Sequence, residues 1–255
     1  MNIVAIIPAR MNSSRFYGKP LANIASVPMI GHCYYRTSMC ESISKTYVAT
    51  CDEEIKEYIL SIGGNVIMTS KDHERASDRT AEAMLKVEQE TGRRIDIVVM
   101  IQGDEPMIHP EMISLSLKPF YSDDNIIVVN LMSKISNIDE FNDPNEVKVV
   151  VDNSSNAIYF SREPIPSRKK GYDKVPMLKQ VCVIPFKRDF LLEFNETHQT
   201  TLEKIESIDM LRVIENGKNV KMVLSDKVTY SVDTELDLRN VEEKMKNDEL
   251  ISKYV

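Results

Sequence analysis

The early part of the chain alternates between two kinds of segment. "NIVAIIP", "KTYVAT", "NVIMT" and "DIVVMIQGDEP" are short, nearly continuous apolar runs closed by turn residues, the pattern of strands buried on both faces. Between them, "MIGHCYYRTSM", "DEEIKEYILSI" and "ASDRTAEAMLKVEQE" repeat apolar residues at helical spacing. This β-α-β-α-β-α-β order predicts a parallel sheet with helices on both faces, whose ligands bind beyond the strand carboxyl ends. Farther on, "NIIVVNLMSKI", "NEVKVVVD", "NAIYFSR" and "QVCVIPF" are strand-like and close together, and are expected as antiparallel additions to that sheet. "TELDLRNVEEKMKNDEL" predicts a terminal helix. No linker, repeat or low-complexity stretch divides residues 1–255, so one α/β domain with a mixed, mostly parallel sheet is expected. The only basic, flexible-looking insertion is "PSRKKGYDK", residues 166–174.

Charge narrows the function. A formal charge of −7 and a pI near 5.3 argue against a general nucleic-acid or membrane-surface binder. No apolar run approaches the roughly 20 residues of a membrane span. Cys33, Cys40, Cys51 and Cys182 form no C-x-x-C pair and no metal spacing with His32, His73, His109 or His198. With no signal peptide recognised, reduced thiols in the cytoplasm are expected. Against this acidic background, three cations on one loop stand out: "VAIIPARMNSSRFYGKP" sets Arg10, Arg15 and Lys19 directly after the first apolar run. Phosphate is the natural counter-ion. A Walker loop is excluded because Gly18-Lys19 precedes Pro20 and Ser13 stands where its first glycine belongs, and no G-x-G-x-x-G is present.

Carboxylates also cluster at strand ends. "DIVVMIQGDEPMI" places Gln102, Asp104 and Glu105 after five apolar residues, where a carboxylate needs a partner or a cation. Asp104 either caps the following turn or holds Mg²⁺, which takes one or two carboxylates plus phosphate oxygens. "VTYSVDTELDL" offers Asp233, with Asp237 where a helix begins; alone, this reads equally well as a helix cap. The two aspartates gain weight as a pair.

In order along the chain, "IIPAR", "SSRF", "GKPL", "VPMI", "QGDEPMI", "FNDPNEVKVVVD", "AIYFSREPIP", "LEKIESIDMLRV" and "VDTELDL" resemble the bacterial 3-deoxy-manno-octulosonate cytidylyltransferases, or CMP-Kdo synthetases, over nearly the whole length. The resemblance implies a glycosyltransferase-A-like, Rossmann-type fold, a homodimer, CTP and an acidic sugar as substrates, and Mg²⁺ as cofactor. It divides the domain into a nucleotide-binding half, 1–110, and an acceptor-binding and dimerisation half, 111–255. It implies a catalytic set of Arg10, Lys19, Asp104 and Asp233, with a metal held by Asp104 and Asp233, and Asp237 adding either a supporting contact behind those ligands or a contact to a second metal ion. Ala9, Arg10, Ser14, Arg15, Lys19, Arg75, Ala76, Ser77 and Arg79 are the expected nucleotide contacts. Ser77 or Asp78 reads equally as a helix cap. Gln102, Arg162, Gln180, Glu203 and Glu206 are the expected acceptor contacts, with an exposed helical face as the competing reading of the two glutamates.

The chain departs from that family at the acceptor. The family strand "HLGIYGYR" aligns with Gln180–Lys187, so a histidine becomes Gln180 and two tyrosines become Ile184 and Phe186. "SGTER" appears as Arg75-Ala76-Ser77-Asp78-Arg79, adding a cation, and Tyr17 replaces a usual proline. Fewer hydroxyl-binding groups point to an acceptor that is smaller or carries an apolar substituent, and the close alternative is a cytidylyltransferase for another acid, such as a modified octulosonate, a nonulosonate or a phosphonate. A nucleotide-binding regulator without turnover is the distant alternative.

Overall fold

Six consecutive buried residues form β1 (Ile3–Pro8), and they are apolar throughout because sheet continues on both sides and helices cover both faces. A computed structural model describes residues 1–12, 16–171 and 174–255. After β1 come the small hairpin β2 (Asn23–Ile24) and β3 (Val27–Pro28), then α1 (Met29–Ser38), β4 (Lys45–Thr50), α2 (Glu53–Ser61), β5 (Val66–Met68), α3 (Ala76–Thr91) and β6 (Ile97–Ile101). The second half adds α4 (Pro110–Ser122), β7 (Val129–Lys134), α5 (Ile138–Asn142), β8 (Lys148–Val151), β9 (Ala157–Ser161), β10 (Leu178–Val181) and β11 (Val183–Lys187). It closes with α6 (Arg188–Glu196), α7 (Thr201–Glu206), α8 (Met210–Glu215), β12 (Lys221–Ser225) and α9 (Glu235–Met245). No helix among the described residues is long and apolar enough to cross a membrane.

The expected alternation is present: β6, β1, β4 and β5 lie parallel and in that order. The later strands differ from expectation. Only β11 joins this sheet, antiparallel to β6, while β12, β7, β10, β8 and β9 build a second, mainly antiparallel sheet. The physical reason lies within "QVCVIPF". The run breaks at Cys182, whose carbonyl accepts the Gln102 amide at 3.1 Å, so one extended stretch serves both sheets.

That break also corrects the placement of Phe186. Ile184 and Phe186 point to the same face of β11. Ile184 lines a cavity, but Phe186 lies farther along, fully buried, with ring centroids 6.3 Å from Phe190 and 6.0 Å from Phe194. It is core, not cavity wall.

The segment following α9 is fastened to α1. The Arg36 guanidinium pairs with Asp248 at 2.7 Å, and its Nε donates to the Tyr254 hydroxyl at 2.9 Å. His32 Nε2 faces the Ile24 carbonyl at 2.8 Å and must carry the hydrogen, so Nδ1 accepts from the Tyr254 hydroxyl at 2.7 Å. Burial lowers the His32 pKa, in keeping with this neutral ring.

If Phe186 is core, Phe186→Tyr strands a hydroxyl among aromatic rings. Urea denaturation should then show a loss of about 1–3 kcal/mol with no gain in acceptor affinity.

Candidate active site

The carboxyl end of β1 delivers Ala9, whose amide donates to the Ala49 carbonyl at 2.9 Å, and then Arg10. The following loop returns through Gly18, which adopts a left-handed conformation (φ 73°) and donates its amide to the Met11 carbonyl at 3.0 Å. Lys19 comes next. From β6 the chain passes through Gly103, where a Cβ would come within 3.3 Å of the Pro8 carbonyl oxygen, and reaches Asp104. The segment before α9 is zipped to this turn by the Val232 amide on the Asp104 carbonyl at 2.9 Å, and by the Thr229 hydroxyl on Glu105 at 2.8 Å. Burial, then the charge of Asp104, pushes the Glu105 pKa up to about 7.

These three segments converge on one ammonium. Lys19 Nζ donates to Asp104 Oδ2 at 3.0 Å, Asp233 Oδ1 at 3.3 Å and the Val232 carbonyl at 2.7 Å. Burial opposes its charge, yet Asp104 and Asp233 more than offset that effect and its pKa is raised. Two carboxylates that share one cation fit Mg²⁺ completed by phosphate oxygens. No group of three or more His, Cys, Asp or Glu among the described residues offers an all-protein cage instead. Of the two roles expected for Asp237, the structure shows the supporting one. In a capping box with Thr234, its Oδ2 accepts the amides of Asp233 at 3.1 Å and Thr234 at 2.8 Å, so it orients Asp233 rather than facing the cation.

Two cavities meet here. One, of about 310 Å³, is lined by Ala9, Arg10, Lys19, Ala76, Arg79 and Gly103 among others. The other, of about 380 Å³, is lined by Gln102, Arg162, Gln180, Ile184, Asp209 and Asp233 among others. Arg10, Arg75, Gln102 and Asp104 belong to both. Arg79 is almost fully buried, gives one nitrogen to the Thr69 hydroxyl, and leaves Nη2 without a protein partner among the described residues. Ser77, expected at the nucleotide, lines neither cavity; it is buried and donates to Asp209 Oδ2 at 3.3 Å. Ser14 and Arg15 lie outside the described residues.

Of the expected acceptor contacts, Gln102, Arg162 and Gln180 line the second cavity, Gln180 being steered by Asn130 Oδ1 at 2.5 Å. Both glutamates are corrected. Glu203 is fully buried and grips Arg212 with two hydrogen bonds, at 2.8 and 2.5 Å. Glu206 accepts the Arg162 amide at 2.9 Å and the Ser161 hydroxyl at 2.8 Å, so it secures the end of β9. Neither lines the cavity. Asp209, Lys179 and Glu146 do, and sequence reasoning missed them. Asp209 stood inside the quoted "LEKIESIDMLRV" but reads as a turn residue until Arg75 is brought to it from α3's start.

Comparison with known proteins agrees with this geometry. Residues 4–221 match the family model described as cytidylyltransferase. The 3-deoxy-manno-octulosonate cytidylyltransferases of Geotalea uraniireducens and Geobacter sulfurreducens are each 41% identical, over 96% of this chain and 100% of their own. The chain belongs to this family. A solved structure of CMP:2-keto-3-deoxy-manno-octonic acid synthetase complexed with CTP superposes with a TM-score of 0.88 at 36% identity, covering 96% of this chain and 99% of that one. A 4-diphosphocytidyl-2C-methyl-D-erythritol synthase from Anaerococcus prevotii (TM-score 0.62, 11% identity, 96% of this chain and 98% of that one) shares the fold alone. The α/β nucleotidyltransferase fold is therefore shown by both sequence and structure.

The corrected role of Glu203 is testable. Glu203→Ala leaves Arg212 as an uncompensated buried charge and should cost about 3–5 kcal/mol by denaturant titration. In the fraction that remains folded, the acceptor KM should not change.

Proposed function

We propose that the protein transfers CMP from CTP to 3-deoxy-manno-octulosonate or a closely related sugar acid, releasing pyrophosphate. The observation that carries this reading is the junction itself: two cavities share Asp104, and Lys19 bonds both Asp104 and Asp233 there. CTP would occupy the cavity of Ala9, Lys19 and Arg79, where the unpartnered Arg79 nitrogen needs an acceptor. The acid would occupy the other cavity, with its anomeric hydroxyl at the junction. That hydroxyl attacks the α-phosphorus, the bond to pyrophosphate breaks, and the hydroxyl proton is lost. Arg10 and Lys19 hold the triphosphate and balance charge as pyrophosphate leaves; positioning and electrostatics suffice, with no covalent enzyme intermediate. Mg²⁺ on Asp104 and Asp233 would supply Lewis acidity at the α-phosphate and favour loss of the hydroxyl proton.

The altered wall keeps a second acceptor in view. Ile184 does line the acceptor cavity, so a modified octulosonate, a nonulosonate or a phosphonate fits there as an alternative. With Phe186 in the core, however, only one of the two tyrosine replacements bears on the cavity. The contact of Lys19 with both aspartates supports turnover over a purely regulatory role. The four cysteines are free, which supports a cytoplasmic setting, where CTP is at hand. A homodimer formed through the second half belongs to this reading, and that half carries the exposed apolar side chains Ile158 on β9 and Ile205 on α7. Sedimentation equilibrium should return twice the 29.2 kDa of one chain, and the mass of a single chain would reject the dimer.

Pyrophosphate release from CTP with a panel of sugar acids and phosphonates tests the activity. Release should require Mg²⁺ and stop with chelator. Asp104→Asn and Asp233→Asn should each lower the rate on the order of 10²-fold or more while the circular dichroism spectrum is kept. Near-native turnover by either variant would show that these carboxylates do not hold the metal.

A further inference from the structure

In a 2-keto sugar acid the anomeric carbon carries both the attacking hydroxyl and the carboxylate. If the hydroxyl must reach the α-phosphorus, the carboxylate is bound one carbon away, at the junction of the two cavities. The cation that reads it must therefore border both. Among the described residues, Arg10, Arg75, Arg162 and Lys179 are the cations lining the acceptor cavity, and only Arg10 and Arg75 also line the nucleotide cavity.

Hydrogen bonding separates the four further. Lys179 is buried between Glu140, at 2.8 Å, and Glu146, at 3.0 Å, so its charge is already matched. Arg162 gives Nε to the Glu206 carbonyl at 2.8 Å and Nη1 to the Pro144 carbonyl at 2.9 Å. One member of each two-donor edge of its guanidinium is thereby taken, which removes the fork that suits a carboxylate. Arg10 follows Ala9 at the end of β1, on the side of Lys19, where the triphosphate needs it. Arg75 is different. Its Nη1 donates to Asp209 Oδ1 at 3.0 Å, and its Nε and Nη2 have no protein partner among the described residues. One complete two-donor edge is left over. Asp209 is itself secured by the Ser77 hydroxyl at 3.3 Å, and the Ser77 carbonyl by the Asn195 amide at 3.0 Å. The guanidinium is thus tethered by its far end while its fork is kept open.

We infer that Arg75 reads the acceptor carboxylate, with Asp209 as the tether that holds its guanidinium at the junction. Arg75 is then a specificity-determining residue for the acceptor rather than a nucleotide contact. The inference rests on the proposed transfer to a sugar acid. Its chemistry is a side-on, two-hydrogen-bond contact that a lysine cannot reproduce.

A substrate-and-residue cycle tests it. With the sugar acid that the wild type uses, and with the primary carboxamide of the same sugar, kcat/KM is measured for wild type, Arg75→Met and Arg75→Lys. Thermal melting confirms that the variants fold. The wild type should prefer the acid over the amide on the order of 10- to 100-fold. In Arg75→Met that preference should collapse towards unity, because the acid loses activity and the amide does not, while the KM for CTP stays within about 3-fold. Arg75→Lys should restore only part of the preference. An undiminished preference for the acid in Arg75→Met, or a loss confined to the CTP KM, overturns the assignment. Absence of wild-type turnover with 3-deoxy-manno-octulosonate would instead count against that acceptor, and the cycle would be run with the panel acid that is turned over.

Discussion

One ammonium between two carboxylates is the contact on which this molecule is organised. Lys19, Asp104 and Asp233 come from distant parts of the chain, and each is largely withdrawn from water. Losing Lys19 would take from Asp104 and Asp233 the cation they share, whereas losing either aspartate leaves Lys19 paired with the other. Much of the surrounding structure serves to hold the three together. Gly18 turns the first loop, Gly103 admits the second against Pro8, and the Thr234–Asp237 box sets Asp233 at the start of α9. The buried His32–Tyr254–Arg36 network fastens the segment beyond α9 to α1. The position of Asp233 is thus set partly by contacts far from any substrate.

The cavity lined by Arg162 and Gln180 has its own frame. Lys148 is fully buried and gathers the carbonyls of Asp143, at 2.8 Å, and Glu146, at 2.6 Å, together with that of Arg162. Arg162 and Glu206 bind each other's backbone, and Lys179 joins α5 to the loop before β8 through Glu140 and Glu146. Burial lowers the Lys148 pKa, whereas for Lys179 two carboxylates overcome the same effect and raise it. These groups brace the cavity wall. Because β10 and β11 are one extended stretch interrupted only at Cys182, that wall is continuous with the sheet of β1, β4, β5 and β6.

The parts legible in the sequence share a property: each signal is local. A strand buried on both faces is apolar along its length, so β1, β4 and β6 announced themselves, and Lys19, Asp104 and Asp233 stood out as charges beside such runs. What stayed hidden depends on partners across a turn or another layer. Glu203 resembles a solvated helix charge until α8 brings Arg212 against it. Phe186 shares the face of Ile184, and only the packing of α6 shows that the cavity has ended by that point. Ser77 and Asp237 carry the right chemistry for ligands, yet their hydrogen bonds are spent on Asp209 and on a helix start. The division of the later strands into a second sheet followed from a single break, at Cys182, inside an apolar run that reads as continuous.

The wall shared by the two cavities bears on the end of the catalytic cycle as well as its beginning. On the proposed reaction, each substrate would fill one cavity and be held by one set of side chains, but the joined nucleotide-sugar would span both and be held by both. Departure of pyrophosphate removes only the triphosphate tail from the loop of Lys19; the base and the sugar remain anchored at opposite ends of a single molecule. On the proposed reaction, the product would have to leave both sets of contacts at once. Such an arrangement links egress of the product to the opening of two sites rather than one.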